Sequence, residues 1–356
     1  MRSHKLGELV TFHYGKSLPK SKRVDGQFPV MSSAGVTGFH NDFLVKGPGL
    51  IVGRKGSIGT VYYEERDFFP IDTCFYLTVN DPSVLDLRYL YYLLSLSNLK
   101  DLNSDAAVPG LNRDIAYLQT IQIPDKNAQL SCVSLLDKYD YLITNNNRRI
   151  AILVEMAQSL YREWFVNFRY PGHENQTLID SALGPIPEGW EVKTLRGVLE
   201  LAYGKALKKA DRKGGPVSVY GSGGNVGSHE VSITQGPCII VGRKGNVGKV
   251  FWVDSDCWPI DTVFYVKSPL SKYFLYQNLR LQKFYNSDAA VPGLNRDSAY
   301  SNNILVPPDG LLDNFDECAK SLFDMRYRLE RSNNLLKMQR DLLLPKLISG
   351  QIELKD

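Results

Sequence analysis

Two periodicities divide the chain. Leu136, Ile143, Ile150, Ala157 and Trp164 recur every seven residues, and Leu322, Leu329, Leu336 and Leu343 follow the same rule 186 positions further on. A seven-residue apolar repeat keeps one stripe of a helix against a partner helix, so both segments predict long helices. Ahead of each lie short alternating runs, such as Gly59-Thr60-Val61-Tyr62-Tyr63 and Thr73-Cys74-Phe75-Tyr76-Leu77, separated by glycine turns. Period-two alternation predicts strands. One helical stretch interrupts each strand-rich region, at 85–99 and at 269–284. The predicted fold is α/β of the α+β kind, with two globular domains separated by two long antiparallel helices that form a coiled-coil spacer.

The two domains are copies. Residues 51–77 and 240–266 agree at 15 of 27 positions, and residues 103–117 and 286–300 at 14 of 15. Tyr14-Gly15-Lys16 matches Tyr203-Gly204-Lys205 at the same offset of 189. A period this long excludes short solenoid repeats and makes each copy a whole domain with its helix. The tandem supplies two matching seams, which favours the helices pairing with each other over each lying on its own domain. Asn147 and Asn333 correspond near the helix centres. A polar seam residue fixes register, and with internal two-fold symmetry equivalent residues of antiparallel helices meet only at the centre. Boundaries fall at 1–129 for the first domain, 130–169 for its helix and 170–190 for a Pro/Gly-rich linker. The second domain takes 191–312, its helix 313–350 and a tail 351–356.

Charge and composition narrow the chemistry. The 356 residues carry a net charge of +4. The excess sits in the domains, +1 over 1–130 and +4 over 185–312, which is compatible with a polyanionic partner. No run approaches the ~18 apolar residues of a membrane span, and the first residues have no apolar signal core, so a cytoplasmic protein is expected. Five scattered cysteines without a CxxC argue for reduced buried thiols. Five histidines, none at HxH or HxxxH spacing, argue against a metal enzyme. There is no phosphate-cradling GxxxxGK[ST] and no GxGxxG that opens a helix. Carboxylate–lysine pairs at Glu191-Val192-Lys193 and Glu353-Leu354-Lys355 lack a Pro-Asp partner. Asp72 and Asp261, in the repeated Pro-Ile-Asp-Thr, are expected to close turns through Asx hydrogen bonds. What remains is a binding architecture that measures distance. About 36 helical residues at ~1.5 Å each span roughly 54 Å, about one and a half turns of a duplex that repeats every ~34–36 Å.

The order of these parts resembles the specificity subunit of Type I restriction–modification systems. The linker Leu183-Gly184-Pro185-Ile186-Pro187-Glu188-Gly189-Trp190-Glu191 looks like that family's approach to its second recognition domain. The run Leu343-Leu344-Pro345-Lys346-Leu347-Ile348-Ser349-Gly350-Gln351-Ile352 is similar to the close of its second conserved helix. Gly-Leu-Asn-Arg-Asp at 110–114 and 293–297 sits where the family ends each recognition domain. The resemblance covers the whole chain; the strong likeness between the two domains departs from it. It implies a non-catalytic, sequence-specific subunit that reads a bipartite double-stranded DNA target, one half-site per domain. It implies two methyltransferase subunits and restriction/translocase subunits as partners. No cofactor is expected in this chain, with S-adenosylmethionine, ATP and Mg on the partners, and no metal site. The alternative is a specificity subunit of a different restriction class, serving a fused methyltransferase–nuclease.

Within such a protein, phosphate contacts position and base contacts specify. Basic residues shared by both copies are therefore candidates for gripping the backbone: Lys16 and Lys205, Arg54 and Lys55 with Arg243 and Lys244, and Arg113 and Arg296. Arg54 and Arg243 could equally form structural salt bridges. Asn112 and Asn295 could pair with adenine or cap a helix. Gly53, Gly56 and Gly59, with Gly242, Gly245 and Gly248, are expected to permit turn dihedrals. The diverged stretches 17–50 and 206–239 are where base readers are expected. The first holds Lys20, Lys22 and Arg23, and the second Lys208, Lys209, Arg212 and Lys213. Similar domains also predict half-sites that are partly inverted repeats. Leu136, Ile143, Asn147, Ile150 and Ala157, with Leu322, Leu329, Asn333, Leu336 and Leu343, are the expected pairing residues.

Overall fold

The computed structural model describes residues 1–102, 110–284, 293–352 and 354. The repeated motif is thus covered only in part, since 103–109 and 285–292 lie outside the described residues, as do Glu353 and Lys355 of the last carboxylate–lysine pair. The chain forms two compact units, Met1–Asn145 with Asn333–Asp356, and Asn146–Ser332.

The first unit carries strands β1 (Arg2–Lys5), β2 (Val10–Tyr14), β3 (Phe28–Ser32), β4 (Gly35–His40), β5 (Gly49–Gly53), β6 (Val61–Glu64), β7 (Phe69–Pro70), β8 (Cys74–Val79) and β9 (Thr120–Ile123). Its helices are α1 (Leu6–Leu9), α2 (Leu87–Ser95), α3 (Arg113–Tyr117) and the beginning of α4 (Lys126–Phe165). β5 is buried along its whole length, so it takes an interior place in a four-stranded antiparallel sheet ordered β2-β8-β5-β6. Leu50 pairs with Leu77 and Val52 with Phe75, which aligns the apolar faces of both strands on one side. A second sheet, β4-β3-β7, joins β3 to β7 in parallel, and β1 pairs with β9. α2 starts on Asp86, whose carboxylate accepts from the backbone N–H of Arg88 and Tyr89. It shows the sheet its apolar face, with Tyr89 and Leu90 fully buried. The core runs from Phe12, Leu50 and Phe75 through these residues to Cys132, Leu136, Leu344 and Leu347 on the long helices. A side chain such as Phe12 contributes about 1.5–3 kcal/mol by its burial.

The second unit repeats the plan. It contains the linker hairpin β10 (Leu178–Ile179) and β11 (Ile186–Pro187), then β12 (Glu191–Thr194), α5 (Leu195–Val198), β13 (Glu200–Tyr203), β14 (Val217–Gly221) and β15 (Gly224–His229). β16 (Cys238–Gly242), β17 (Val250–Val253), β18 (Cys257–Pro259), β19 (Val263–Lys267), α6 (Lys272–Leu281), α7 (Arg296–Tyr300), β20 (Asn303–Val306) and the first part of α8 (Asp309–Ile348) follow. The sheet orders β13-β19-β16-β17 and β15-β14-β18 match those of the first unit strand for strand. Glu191 and Lys193 form a surface ion pair of 2.6 Å on β12, a strand paired with β20.

α4 and α8 are each 40 residues long. They begin a few residues before the positions expected from the heptads. Within the first unit the Cys132 thiol faces the Leu347 carbonyl at 3.9 Å and Asp140 meets Arg340 at 2.6 Å. Within the second, Trp164 packs on Phe315 with ring centroids 5.8 Å apart. Numbers rising along α4 meet numbers falling along α8, so the helices are antiparallel. Leu136, Ile143, Ala157 and Leu329 are buried, while Ile150, Leu322, Leu336 and Leu343 are half-buried. One expected pairing residue is displaced. On α4 the buried asparagine is Asn146, and Asn147 lies on the exposed side; on α8 Asn333 is buried as expected. The seam advances by alternating steps of three and four, so a heptad fixes one position of each pair and leaves the other open to a neighbour.

The turns correct two further expectations. The Pro-Ile-Asp-Thr turns are closed by the backbone, Cys74 N–H to the Ile71 carbonyl and Val263 N–H to the Ile260 carbonyl, both 3.1 Å. The side chain that takes part is threonine, with Thr73 Oγ1 accepting from Ser33 N–H and Thr262 Oγ1 from Ser222 N–H. Gly56 and Gly245 do have positive φ, 77° and 78°. Gly53 and Gly242 do not: a Cβ there would lie 2.0 Å from the carbonyl oxygens of Ser57 and Asn246, so the turn itself leaves no room. Four cysteines are buried as expected, but Cys318 is exposed.

Candidate nucleic-acid interface

At the end of β2, Tyr14 is about half exposed (51%), and so is Tyr203 at the end of β13 (49%). Each ring carries two arginines. Arg54 lies 5.1 Å and Arg113 5.6 Å from the Tyr14 centroid. Arg243 and Arg296 both lie 4.9 Å from that of Tyr203. Each arginine has a second aromatic neighbour: Phe75 and Tyr117 in the first unit, Phe264 and Tyr300 in the second, at 5.8–5.9 Å. The result is a ladder in which Tyr14 packs on Phe75 at 5.0 Å, Arg54 lies against both rings and Arg113 links Tyr14 to Tyr117; in its copy Tyr203 packs on Phe264 at 5.0 Å, with Arg243 against both and Arg296 leading to Tyr300.

The ladder is assembled from distant segments by backbone bonds. The Leu111 N–H donates to the Arg54 carbonyl at 2.9 Å, and Leu294 N–H to that of Arg243 at 2.7 Å. The outer tyrosines are fixed because Tyr117 Oη accepts from Phe12 N–H and Tyr300 Oη from Leu201 N–H, both 2.9 Å. Gly15 and Gly204 follow the inner tyrosines because a Cβ would lie 2.1 Å from the carbonyl oxygens of Ile71 and Ile260. Of the two readings left open for Arg54 and Arg243, the salt bridge has no carboxylate to supply it among the described residues. Arg243 donates to the Asp261 carbonyl at 3.0 Å, and the buried Nε of Arg54 has no acceptor. Arg113 has Asp114 at 3.4 Å, whereas Asp297, beside Arg296, is taken by Arg196 at 2.5 Å.

Lys16, Lys55, Lys205 and Lys244 are exposed. Lys55 and Lys244 stand in the tight turns next to the ladder arginines, pinned by their own N–H to the carbonyls of Thr73 and Thr262 at 3.0 Å. Asn112 and Asn295 are helix caps. The side-chain oxygen of each accepts from two backbone N–H groups at the start of α3 and α7, which commits the acceptor that an adenine contact would need.

The diverged segments take one shape in both units. Lys20–Lys22 and Lys209–Asp211 each form a short 3-10 turn. Arg23 ties the first turn to the Thr37 carbonyl at 2.8 Å, and Arg212 ties the second to that of Val226 at 2.6 Å. These two arginines are structural. Lys20, Lys22, Lys208, Lys209 and Lys213 remain exposed. The third residue of the turn is Lys22 in one unit and Asp211 in the other, so the two loops differ in charge.

Sequence reasoning passed over the inner tyrosines, although both lay inside the matched Tyr-Gly-Lys triplets. It also passed over the polar attachment of the first domain to its helices. Arg88 meets Asp137 at 2.7 Å and Asp140 at 3.2 Å, and Arg340 meets Asp140 at 2.6 Å. Tyr92 Oη donates to Asp137 and Asp140, both at 2.7 Å. Burial, and then those two carboxylates, push the Tyr92 phenol well above its ordinary range. The second unit solves the same problem with rings. Trp252 stacks on Tyr273 and meets Phe323 at 4.5 Å, beside an Arg326–Asp254 pair of 2.7 Å. Among the described residues no helix is long and apolar enough to cross a membrane.

Known proteins share this organisation. The Type I restriction modification DNA specificity domain family matches residues 1–155 and 187–310. The Type I restriction enzyme MjaIX specificity subunit of Methanocaldococcus jannaschii is 24% identical over 76% of this chain and 70% of its own length. A Mycoplasma pneumoniae protein that carries the name of a type I specificity subunit is 21% identical over 94% of this chain and 91% of its own. The crystal structure of the Type-I restriction-modification system S subunit from M. genitalium shares the fold, with a TM-score of 0.64 at 18% identity, covering 97% of this chain and 95% of that one. The two matched blocks coincide with the two strand-rich copies that each build a ladder, and on that ground the chain belongs to the Type I restriction modification DNA specificity family.

Proposed function

We propose that the chain is the specificity subunit of a Type I restriction–modification complex, non-catalytic itself, with each unit reading one half of a bipartite DNA target. The observation that carries this is the duplication of one basic–aromatic surface, built once per unit from the same residues. Lys16, Lys55, Arg54 and Arg113, with Lys205, Lys244, Arg243 and Arg296, are the shared set and serve the backbone. Lys20, Lys22, Lys208 and Lys209, on turns of like shape and unlike charge, serve base reading. Asn112 and Asn295 drop out of the contact set as caps. Two units that share most of one surface read half-sites that are partly alike.

Methyltransferase and restriction/translocase subunits are the proposed partners, and S-adenosylmethionine, ATP and Mg belong to them. The helices offer a place for such contacts. Leu335, Met338 and Leu342 stand on one face of α8 at 56–66% exposure, with a spacing that suits a partner helix. The test is a genome-wide map of methylated adenines with the gene present and deleted. Loss of one split motif on deletion is the expected result. An unchanged map in a host that expresses the complex overturns the assignment.

A further inference from the structure

We propose that each aromatic–guanidinium ladder is a phosphodiester clamp for the duplex backbone, in which Tyr14 and Tyr203 are positioning residues that hold two guanidiniums toward one strand. The inference rests on the DNA-recognition reading above. Two cations set on one ring repel each other. A ring quadrupole attracts a cation, but it does not neutralise the charge. Arg54 and Arg243 have no carboxylate among the described residues, and the buried Nε of Arg54 lacks an acceptor. An arrangement of this kind is completed by an anion. The planar guanidinium fork matches the oxygens of a phosphate.

A phosphate, rather than a base, is the occupant because the ladder is the part that does not change. All five residues have counterparts identical in type, and both rings are equally exposed. Surfaces that tell half-sites apart must differ between the copies, as the 3-10 turns do. The inner tyrosine is the element that matters, since both arginines converge on it from elsewhere in the chain, 40 and 99 residues on from Tyr14, and the outer tyrosines are anchored to backbone.

The experiment measures binding of the full-length chain, assembled with its methyltransferase partner, to the duplex that carries its methylated motif and to a scrambled duplex, over a series of salt concentrations. Tyr14→Leu is expected to weaken both duplexes by the same factor, about ten-fold, with Tyr203→Leu equal to it. Tyr14→Phe is expected to restore binding, because the ring and not the hydroxyl holds the cations. Arg54→Gln combined with Arg113→Gln is expected to lower the slope of log affinity against log salt by about 2; this pair also keeps the test open if the leucine variants fail to fold. A Leu variant that binds as wild type, a loss confined to the specific duplex, or a Phe variant as weak as Leu overturns the clamp. Wild-type complex that retains neither duplex overturns the DNA reading beneath it.

Discussion

Single residues show where this fold holds charge below its surface. Tyr92 is 2% exposed and gives its one hydroxyl proton to a site flanked by Asp137 and Asp140. Tyr92→Phe leaves those carboxylates to Arg88 and Arg340 alone. A loss of about 1–2 kcal/mol is expected in urea denaturation, and an unmoved midpoint refutes a stabilising role for the hydroxyl. Asp316, on α8, behaves differently. Burial, which outweighs the Ser271 hydroxyl donating to it, holds its carboxyl above the usual 3.8. The native state therefore keeps a proton that the unfolded state has lost, and stability falls as pH rises through the window above 3.8. Asp316→Asn removes that fall. Its stability relative to wild type is expected to improve from about pH 4 to about pH 7, and a constant difference across that range refutes the shift. None of this was legible in the sequence, because each partner lies on a different element. The lysines and arginines of the shared motifs were legible one by one; the meeting of the arginines on Tyr14 and Tyr203 was not, since nothing local links residues 14, 54 and 113.

At the level of elements, the duplicated sheets reach the same packing by different means. Gly49 starts β5 under the ring of Phe68, which a Cβ would approach to 2.4 Å. In the second unit the matching places are Cys238 and Cys257, buried with their sulfurs 3.3 Å apart. One large and one absent side chain have been exchanged for two of middle size. Gly49→Cys alone overpacks the site and is expected to cost roughly 1–3 kcal/mol. Phe68→Cys alone opens a cavity and costs about 3–4 kcal/mol. The double variant is expected to recover much of both losses, and additive losses in a double-mutant cycle contradict this pairing. The helices were plain in the sequence because a seam that must stay buried repeats its pattern over many turns. The choice between Asn146 and Asn147 was not, because a heptad tolerates either. The attachment of α2 was hidden for a similar reason. Its second residue is Arg88, with acidic partners on α4, and the second residue of α6 is Tyr273, stacked on Trp252.

For the whole molecule, duplication makes specificity modular. A chain whose segment 1–125 is replaced by a second copy of 191–308 is expected to direct methylation to a target with two identical half-sites. The adenine map of cells that carry it decides the matter, and retention of the original split motif contradicts the proposed division of labour. The strong likeness between the copies was the most readable fact in the sequence, since duplication preserves order and spacing even where side chains change.

The division into units also has a consequence for synthesis. The second unit is one continuous stretch, Asn146–Ser332, whereas the first joins Met1–Asn145 to the segment from Asn333 onward. On the ribosome residues 1–145 of the first unit are made before the second unit, yet Leu344, Leu347 and Ile348, which close its core, are made after it. Its apolar surface waits through the translation of the entire second unit, the circumstance in which nascent chains depend on chaperones. A premature stop at Asn333 would therefore damage the unit begun earlier of the two and spare the one nearest the break.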